Sequence, residues 1–293
     1  MNALKTSGNP FIRNKFTADP TAIVFGGKVF LYAGHDEAAE GIEEYVMNEW
    51  LCYSSTDLVT WEEHPSPLRP NDFDWSAGGA YATKVTRKGN QFYWFVSTRY
   101  IHGGTAIGVA VSSMPQAGYT DAIGRPLITL DMLPSTQNVK ANLDPTVWIE
   151  GDTPYLFWGN KTCYFARLHT NMTEVISEIK ILNLTDFAEG AHIHKRNDWY
   201  YLSYGQGMPE RVAYAMSRRI EGPWEEKGIL NDLVYNCETN RPCVVEFRNK
   251  SYFFYHNGAL PGGGSHRRSV CVDELHYESD GTIRKVVMTS EGI

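Results

Sequence analysis

Three acidic residues stand in similar settings at distant points of the chain: Asp19 in "ADPTAIVFGG", Asp144 in "LDPTVWIEGD" and Glu189 in "AEGAHIHKRND". Each lies just ahead of a short run of strand-forming residues that ends in a Gly, Asn or Asp turn. Taken singly, an acid at such a place starts a turn or caps a neighbouring N–H. Carboxylates gathered in one partly desolvated site do something else: they push at least one of their pKa values upward. Glycoside hydrolysis uses that effect. One carboxyl stays protonated and donates to the leaving oxygen, while a second, ionised, acts from the other side of the sugar. The chemistry therefore depends on elements that carry the three acids to one place.

Internal repetition supplies such elements. Five segments, "GGKVFLYAGHD", "KGNQFYWFVST", "EGDTPYLFWGN", "KRNDWYYLSYG" and "FRNKSYFFYHN", each join a turn to an aromatic strand, which is a hairpin signal in every case. A short strand precedes each turn: "TAIVF", "AYATKVT", "PTVWIE", "AHIHK" and "PCVVEF". Several units continue into a further strand and a polar turn, as in "LCYSSTDLVTWEE", "IGVAVSSMPQAGYTD" and "VAYAMSRRIEGPWEE". Units of about four strands recurring every 45 to 60 residues or so predict an all-β fold, a five-bladed β-propeller. A sandwich does not predict five equivalent hairpins, and no segment with helical periodicity competes. The strands before the turns would be innermost, so Asp19, Asp144 and Glu189, in nearly the same register, would converge on one mouth of the central channel.

The 293 residues are expected to form one domain over 1–293. The aromatic share of 13% is high, and aromatic side chains suit both strands and the faces of sugar rings. A formal charge of -7 argues against a surface that tracks phosphates, so nucleic acid is not an expected partner. No apolar run reaches the length of about 18 residues that suggests a membrane span. The start "MNALKTSGNPF" lacks the apolar core of a signal peptide. Five cysteines, Cys52, Cys163, Cys237, Cys243 and Cys271, show no CxxC spacing and read as buried free thiols, with a Cys237–Cys243 bridge as the alternative.

The residues carry a resemblance to glycoside hydrolase family 43, the arabinofuranosidases, xylosidases and arabinanases. It rests on "NPFIRNKFTADPTAIVF", "LYAGHDE", "SSTDLVTWEEH", "IGVAVSSMP", "LDPTVWIEGDTPYLFWGN", "AEGAHIHKRNDWYYLSYG" and "YHNGALPGGGSHRRSVCVDELHYESDGTI", and covers nearly the whole chain. The chain looks most like the arabinoxylan arabinofuranohydrolase and β-xylosidase branches. The resemblance implies a five-bladed propeller and an inverting mechanism. In it Asp19 is the general base that activates water, Glu189 the general acid, and Asp144 the aspartate that tunes the acid and orients substrate. Arg268 of "HRRSV" matches an arginine that reaches the sugar and the carboxylates, with Arg267 one position away. Trp75 in "DWSAGGAY" and Trp158 in "FWGN" are candidates either for stacking on a sugar or for blade core. The implied partner is an oligo- or polysaccharide, the implied state a monomer, and the implied location extracellular or periplasmic, with a cytoplasmic one left open by the N-terminus.

One departure matters. At "ETNRPCVVEF" the chain has Arg241 where close relatives carry a histidine that in many members helps hold a central calcium or water cluster. An arginine cannot ligate a metal, so no cofactor is expected to be required and a calcium is doubtful. Arg241 is expected either to supply the positive charge itself or to contact substrate. Two further motifs point less far. His192 and His194 in "HIH" share a strand face but have no third ligand of matching spacing. The stretch "GALPGGGS" lacks the Lys-Ser/Thr of a phosphate loop and reads as a loop whose glycines let the backbone approach substrate. Hydrolysis of arabinofuranosides is the leading reading, with β-xylosidase its nearest rival. A retaining β-fructosidase would start with an "NDPNG"-type motif, which "TADPTA" is not, and a non-catalytic sugar-binding propeller would have no use for all three acids.

Overall fold

The structure is a computed structural model and describes residues 3–5, 8–134 and 136–293; Met1, Asn2, Thr6 and Ser7 of the N-terminal stretch and Ser135 of the loop "LPSTQNVKAN" lie outside these. Five antiparallel sheets follow one another along the chain. Blade 1 contains β1 (Ala3–Lys5), β2 (Thr17–Phe25), β3 (Lys28–His35), β4 (Trp50–Ser55) and β5 (Thr60–Leu68), with β1 added outside β5. Blade 2 contains β6 (Thr83–Lys88), β7 (Gln91–Arg99), β8 (Thr105–Ser112) and β9 (Thr120–Asp121). Blade 3 contains β10 (Thr146–Glu150), β11 (Thr153–Trp158), β12 (Cys163–Arg167) and β13 (Lys180–Leu182). Blade 4 contains β14 (His192–Arg196), β15 (Trp199–Gln206), β16 (Arg211–Ser217) and β17 (Glu225–Asn231), and blade 5 contains β18 (Cys243–Phe247), β19 (Lys250–Asn257) and β20 (Ser269–Leu275). The expected inner strands and hairpins are all present, and the fold is a five-bladed β-propeller.

Apolar and aromatic residues on both faces of each sheet bury themselves between blades. Five hydrophobic cores result. Phe30, Tyr32 and Trp50 of blade 1 meet Val85, Trp94 and Val96 of blade 2, and Phe95, Ile107 and Val109 meet Val147, Leu156 and Trp158 of blade 3. Phe157 and Phe165 meet Ile193, Leu202 and Tyr204 of blade 4, and Tyr201, Val212 and Tyr214 meet Val244, Phe253 and Tyr255 of blade 5. The ring closes where Val245, Phe247 and Phe254 of blade 5 pack on Phe11, Val29, Leu31 and Trp61.

The inner hairpins set the height of every residue on the axis. Phe25, Lys88, Glu150, Arg196 and Phe247 close them opposite Lys28, Gln91, Thr153, Trp199 and Lys250. In blades 1 and 5 both turn residues have positive φ, Gly26 and Gly27 (58° and 75°) and Arg248 and Asn249 (51° and 63°), the geometry that matches the twist of paired strands; in the other three only the first does, at Gly89, Gly151 and Asn197. Counting back from the turns places Thr21, Lys84, Thr146, His192 and Cys243 at one level around the axis. Two residues nearer the mouth stand Asp19, Ala82, Asp144, Gly190 and Arg241. Glu189 comes one residue earlier than this level. The three acids therefore do not share a single register; two do, and the third stands at the rim.

Candidate active site

Asp19 and Asp144 are each followed by Pro and Thr, and each has a left-handed backbone, with φ of 53° and 57°. Pro disfavours the right-handed helical region for the residue before it, and Asp is among the few side chains that enter the left-handed region at modest cost. At Asp19 the strand also bulges, its pairing with β3 shifting between Ala18 and Thr21. The local sequence thus turns both carboxylates out of the ladder toward the mouth. There they line a cavity of about 230 Å³ together with Glu189 and Arg268; its walls are Tyr45, Met47, Tyr81, Leu143 and Met208, with Thr105, Lys140, Asn160 and Thr239 as further polar groups.

Each acid has a different environment. Asp19 Oδ1 accepts from Arg268 Nη1 at 3.0 Å. Its backbone N–H donates to His256 Nδ1 (3.1 Å), and His256 Nε2 lies 2.9 Å from the Thr239 carbonyl. Those contacts define the tautomer with the proton on Nε2, and burial with the nearby Arg268 charge pulls His256 down to about 3, so the imidazole is neutral. Arg268 is itself fixed by Asp36: Nε donates to Oδ2 (2.8 Å) and Nη2 to Oδ1 (3.0 Å), the bidentate fork that suits a guanidinium. Its guanidinium also lies 4.9 Å from the Tyr45 ring. Burial pushes the Tyr45 hydroxyl up to about 12, against the pull of Arg268.

Asp144 Oδ2 accepts the Gly190 N–H (2.8 Å) and lies 3.1 Å from Arg241 Nη1. Burial moves its pKa upward while the Arg241 guanidinium pulls it back. Glu189 Oε2 accepts from Asn160 Nδ2 at 2.6 Å. Burial first, and then the charge of Asp144, push Glu189 up to about 7. A fourth carboxyl, Glu210, is 1% exposed. Its Oε2 accepts the Asn240 N–H (2.8 Å), and it sits against Gly205, where a Cβ would lie 2.8 Å from that oxygen. Burial and the neighbouring charge of Glu189 raise its pKa well above the ordinary value.

Several expectations are corrected. Trp158 is fully buried between blades 2 and 3 and donates from Nε1 to Asn142 Oδ1 (3.1 Å). Trp75 is 5% exposed, donates to Asp121 Oδ2 (2.9 Å) and covers the backbone at Gly108. Neither faces the cavity, because each indole is held in the core by its own N–H bond; Tyr45 and Tyr81 are the aromatic residues that do. Arg241 is 4% exposed and does not line the cavity: its Nη2 reaches the carbonyls of Pro145 (3.3 Å) and Thr83 (3.5 Å). It lies beneath Asp144 and is not placed to contact a sugar. Arg268 rather than Arg267 enters the cluster, since Arg267 lies over the Phe16 ring and 4.0 Å from Glu40.

The glycines of "GALPGGGS" serve the loop's own packing: a Cβ at Gly258 would lie 2.2 Å from the Asn236 carbonyl, and one at Gly263 2.6 Å from the Gly258 carbonyl. This loop borders a second cavity of about 320 Å³, lined by Ile42, Glu43, Glu238, Ser265, His266 and Arg267. Tyr45 joins the two cavities, its ring 4.5 Å from that of His266. All five cysteines are free, and Cys237 turns its thiol to the Thr239 carbonyl (3.2 Å), so the alternative bridge to Cys243 is absent. Asp36, Asn160, Glu210, Tyr45 and Tyr81 had not been singled out from sequence. "GHDE" and "FWGN" contain the first two, but nothing in their local pattern marks a buried ion pair or a carboxamide aimed at an acid.

The central calcium implied by the resemblance can be tested against the axis. Calcium takes six to eight oxygen ligands, whereas the axis presents the Arg241 guanidinium, the Lys84 ammonium and the His192 imidazole, with Asp144 already paired to Arg241. No group of three or more His, Cys, Asp or Glu able to hold a metal occurs among the described residues. His192 Nε2 instead accepts the Val244 N–H (3.0 Å), and His194 Nε2 lies 2.8 Å from the Tyr277 hydroxyl. The residues present do not fit a calcium.

A family model described as glycosyl hydrolases family 43 matches residues 7–283. The chain belongs to that family. A xylosidase/arabinosidase of Bacteroides ovatus is 26% identical over 96% of this chain and 98% of its own. An arabinoxylan arabinofuranohydrolase of Bacillus subtilis (strain 168) is 26% identical over 98% of this chain and 65% of its own. A family 43 β-xylosidase/α-arabinofuranosidase from a compost microbial metagenome, solved with xylotriose in a calcium-free form, superposes with a TM-score of 0.87 at 25% identity, covering 97% of this chain and 98% of that one. This family 43 chain is accordingly a glycosidase.

Proposed function

We propose that this glycosidase removes terminal α-L-arabinofuranosyl residues from plant cell-wall polysaccharide with inversion of configuration, through Asp19 as general base and Glu189 as general acid. The observation that carries the proposal is the unequal treatment of the acids around one cavity. Arg268 keeps a guanidinium on Asp19, its Nη1 donating to Oδ1 at 3.0 Å. Glu189 has no ion pair among the described residues and is raised to about 7, so a large share of it is protonated near neutral pH, as a general acid requires. A water held by Asp19 attacks the anomeric carbon from one face while Glu189 delivers its proton to the leaving oxygen on the other. Inversion needs about 6.5 to 9.5 Å between the two carboxyls to admit that water.

Asp144, anchored by Gly190 N–H and Arg241, contributes the negative charge that keeps Glu189 protonated and is placed to accept from a sugar hydroxyl. The Arg241 cation beneath it fits a reaction that needs no resident metal. A cavity of about 230 Å³ is below the usual range for drug-sized ligands and suits a single sugar. The adjoining cavity past Tyr45, with its carboxylates, hydroxyl and imidazole, suits the polymer from which that sugar branches. Names of relatives join xylosidase and arabinosidase activities, so β-xylosides are the second substrate to try. The test is hydrolysis of aryl α-L-arabinofuranoside and aryl β-xyloside by wild type, Asp19→Asn and Glu189→Gln. Faster cleavage of the arabinofuranoside, lost in both variants, is expected. Oligosaccharide binding without cleavage of either would mean a binding protein, and faster cleavage of the xyloside would make it a xylosidase.

A further inference from the structure

Below the catalytic level the axis carries a ring of side chains from all five inner strands: Thr21, Lys84, Thr146, His192 and Cys243. The donors in this ring outnumber the acceptors. His192 Nε2 accepts the Val244 N–H and Cys243 Sγ accepts the Ala22 N–H (3.3 Å), so the proton of a neutral His192 is on Nδ1. Thr146 Oγ1 is buried without a partner among the described residues, and Thr21 Oγ1 makes no well-aligned hydrogen bond, having only the Cys243 thiol beside it. Arg241 roofs the ring; its Nη1 is ion-paired with Asp144 Oδ2 at 3.1 Å but is not aligned to it as a hydrogen bond.

Lys84 is the distinctive member. Among the described residues the buried cations are Lys84, Arg241 and Arg268. Arg268 holds Asp19 and Asp36, and Arg241 holds Asp144. Among the described residues the Lys84 ammonium makes no hydrogen bond or ion pair. Its charge acts on His192 and His194 of blade 4 and on Cys243 of blade 5. Burial and the charge of Arg241 both push the Lys84 pKa down. A buried cation without a counter-ion is costly, and buried polar groups in native proteins find partners.

We propose that the propeller axis beneath the active site binds a small monovalent inorganic anion, a halide, between Lys84, the Nδ1–H of His192, the hydroxyls of Thr21 and Thr146 and the Nη1 of Arg241. A metal cation has no ligand set there, and a tetrahedral oxyanion would want clustered backbone N–H groups such as a nest provides; these donors are single groups carried at one level by separate inner strands, which suits a spherical anion. The halide would neutralise Lys84 and stitch the inner strands together at a level where they otherwise leave polar groups open.

The test is crystallisation of the wild type in sodium bromide with diffraction data at the bromine absorption edge. An anomalous peak on the axis beside Lys84 Nζ is expected; density without anomalous signal, as water gives, overturns the proposal. In solution, sodium chloride or bromide replacing sodium gluconate at constant ionic strength should raise the thermal midpoint of the wild type saturably. The rise should be absent from Lys84→Met, or from Lys84→Gln if the methionine variant does not fold. An equal rise in variant and wild type, or none in the wild type, counts against the site.

Discussion

Replacing Asp144 with Asn tests the electrostatic logic of the site through its pH dependence. Glu189 is raised from 4.5 to about 7, with burial the largest cause and Asp144 the second. Removing that second contribution should lower the Glu189 pKa by about one unit, and the Arg241 cation left without its anion acts in the same direction. A general acid of pKa 7 is about half protonated at pH 7, and one of pKa 6 about a tenth. Protonation alone then costs Asp144→Asn about fivefold at pH 7 and almost nothing at pH 5, on top of any constant loss from substrate positioning. The assay is kcat/KM for an aryl arabinofuranoside between pH 4.5 and 8.5, wild type against variant. A deficit that widens about fivefold from pH 5 to pH 7 is expected. A deficit independent of pH, or an alkaline limb displaced upward, would refute the assignment of Asp144 as the charge that tunes Glu189.

Stability should report the same pKa. A carboxyl whose folded value lies above its unfolded one loses stabilising free energy as pH rises through the interval, here from 4.5 to about 7. Because Glu189 borders the open cavity, the full linkage value is discounted to about 2 kcal/mol; Glu189→Gln should be more stable than wild type by about that amount at pH 8 and equal to it at pH 4 in denaturant titrations. Arg268→Lys loses the fork to Asp36 and the bond to Asp19, and kcat/KM should fall by about 10 to 100-fold, against a negligible change in Arg267→Lys. Tyr45→Ala should raise KM several-fold with little loss of stability, as expected for an aromatic wall of the sugar site. Trp158→Ala should destabilise the fold by about 3 to 5 kcal/mol while leaving KM unchanged below its melting transition, which separates the core reading of this residue from the stacking one.

The fold was legible because a propeller repeats its signal. Five turn-plus-aromatic hairpins each have the same reading, and the strands from Thr17–Phe25 to Cys243–Phe247 fall where the turns place them. The positions of Asp19, Asp144, Glu189 and Arg268 around one cavity followed from that periodicity and from the family resemblance. What sequence did not reveal depends on direction rather than position. Trp75 and Trp158 lie at blade ends near the mouth, but the path of each indole is decided by a hydrogen-bond partner, Asp121 or Asn142, that only the packed structure brings close. Tyr45 reaches the site from the long loop between β3 and β4, whose course no periodicity dictates. Asp36 and Glu210 are buried carboxyls whose partners, Arg268 and the Asn240 N–H, are far away in sequence. Arg241 was recognised as a departure, and its burial under Asp144 shows that its charge serves the carboxylates rather than the sugar.

The most direct measurement is the anomeric configuration of the sugar first released. Proton NMR of an aryl α-L-arabinofuranoside in the opening minutes of hydrolysis, before mutarotation, should show the β-anomer of arabinose appearing first, as the role proposed for Asp19, activating water on the face opposite the leaving group, requires. The α-anomer appearing first would mean a double displacement, with a carboxylate attacking carbon directly, and would contradict the roles given to Asp19 and Glu189.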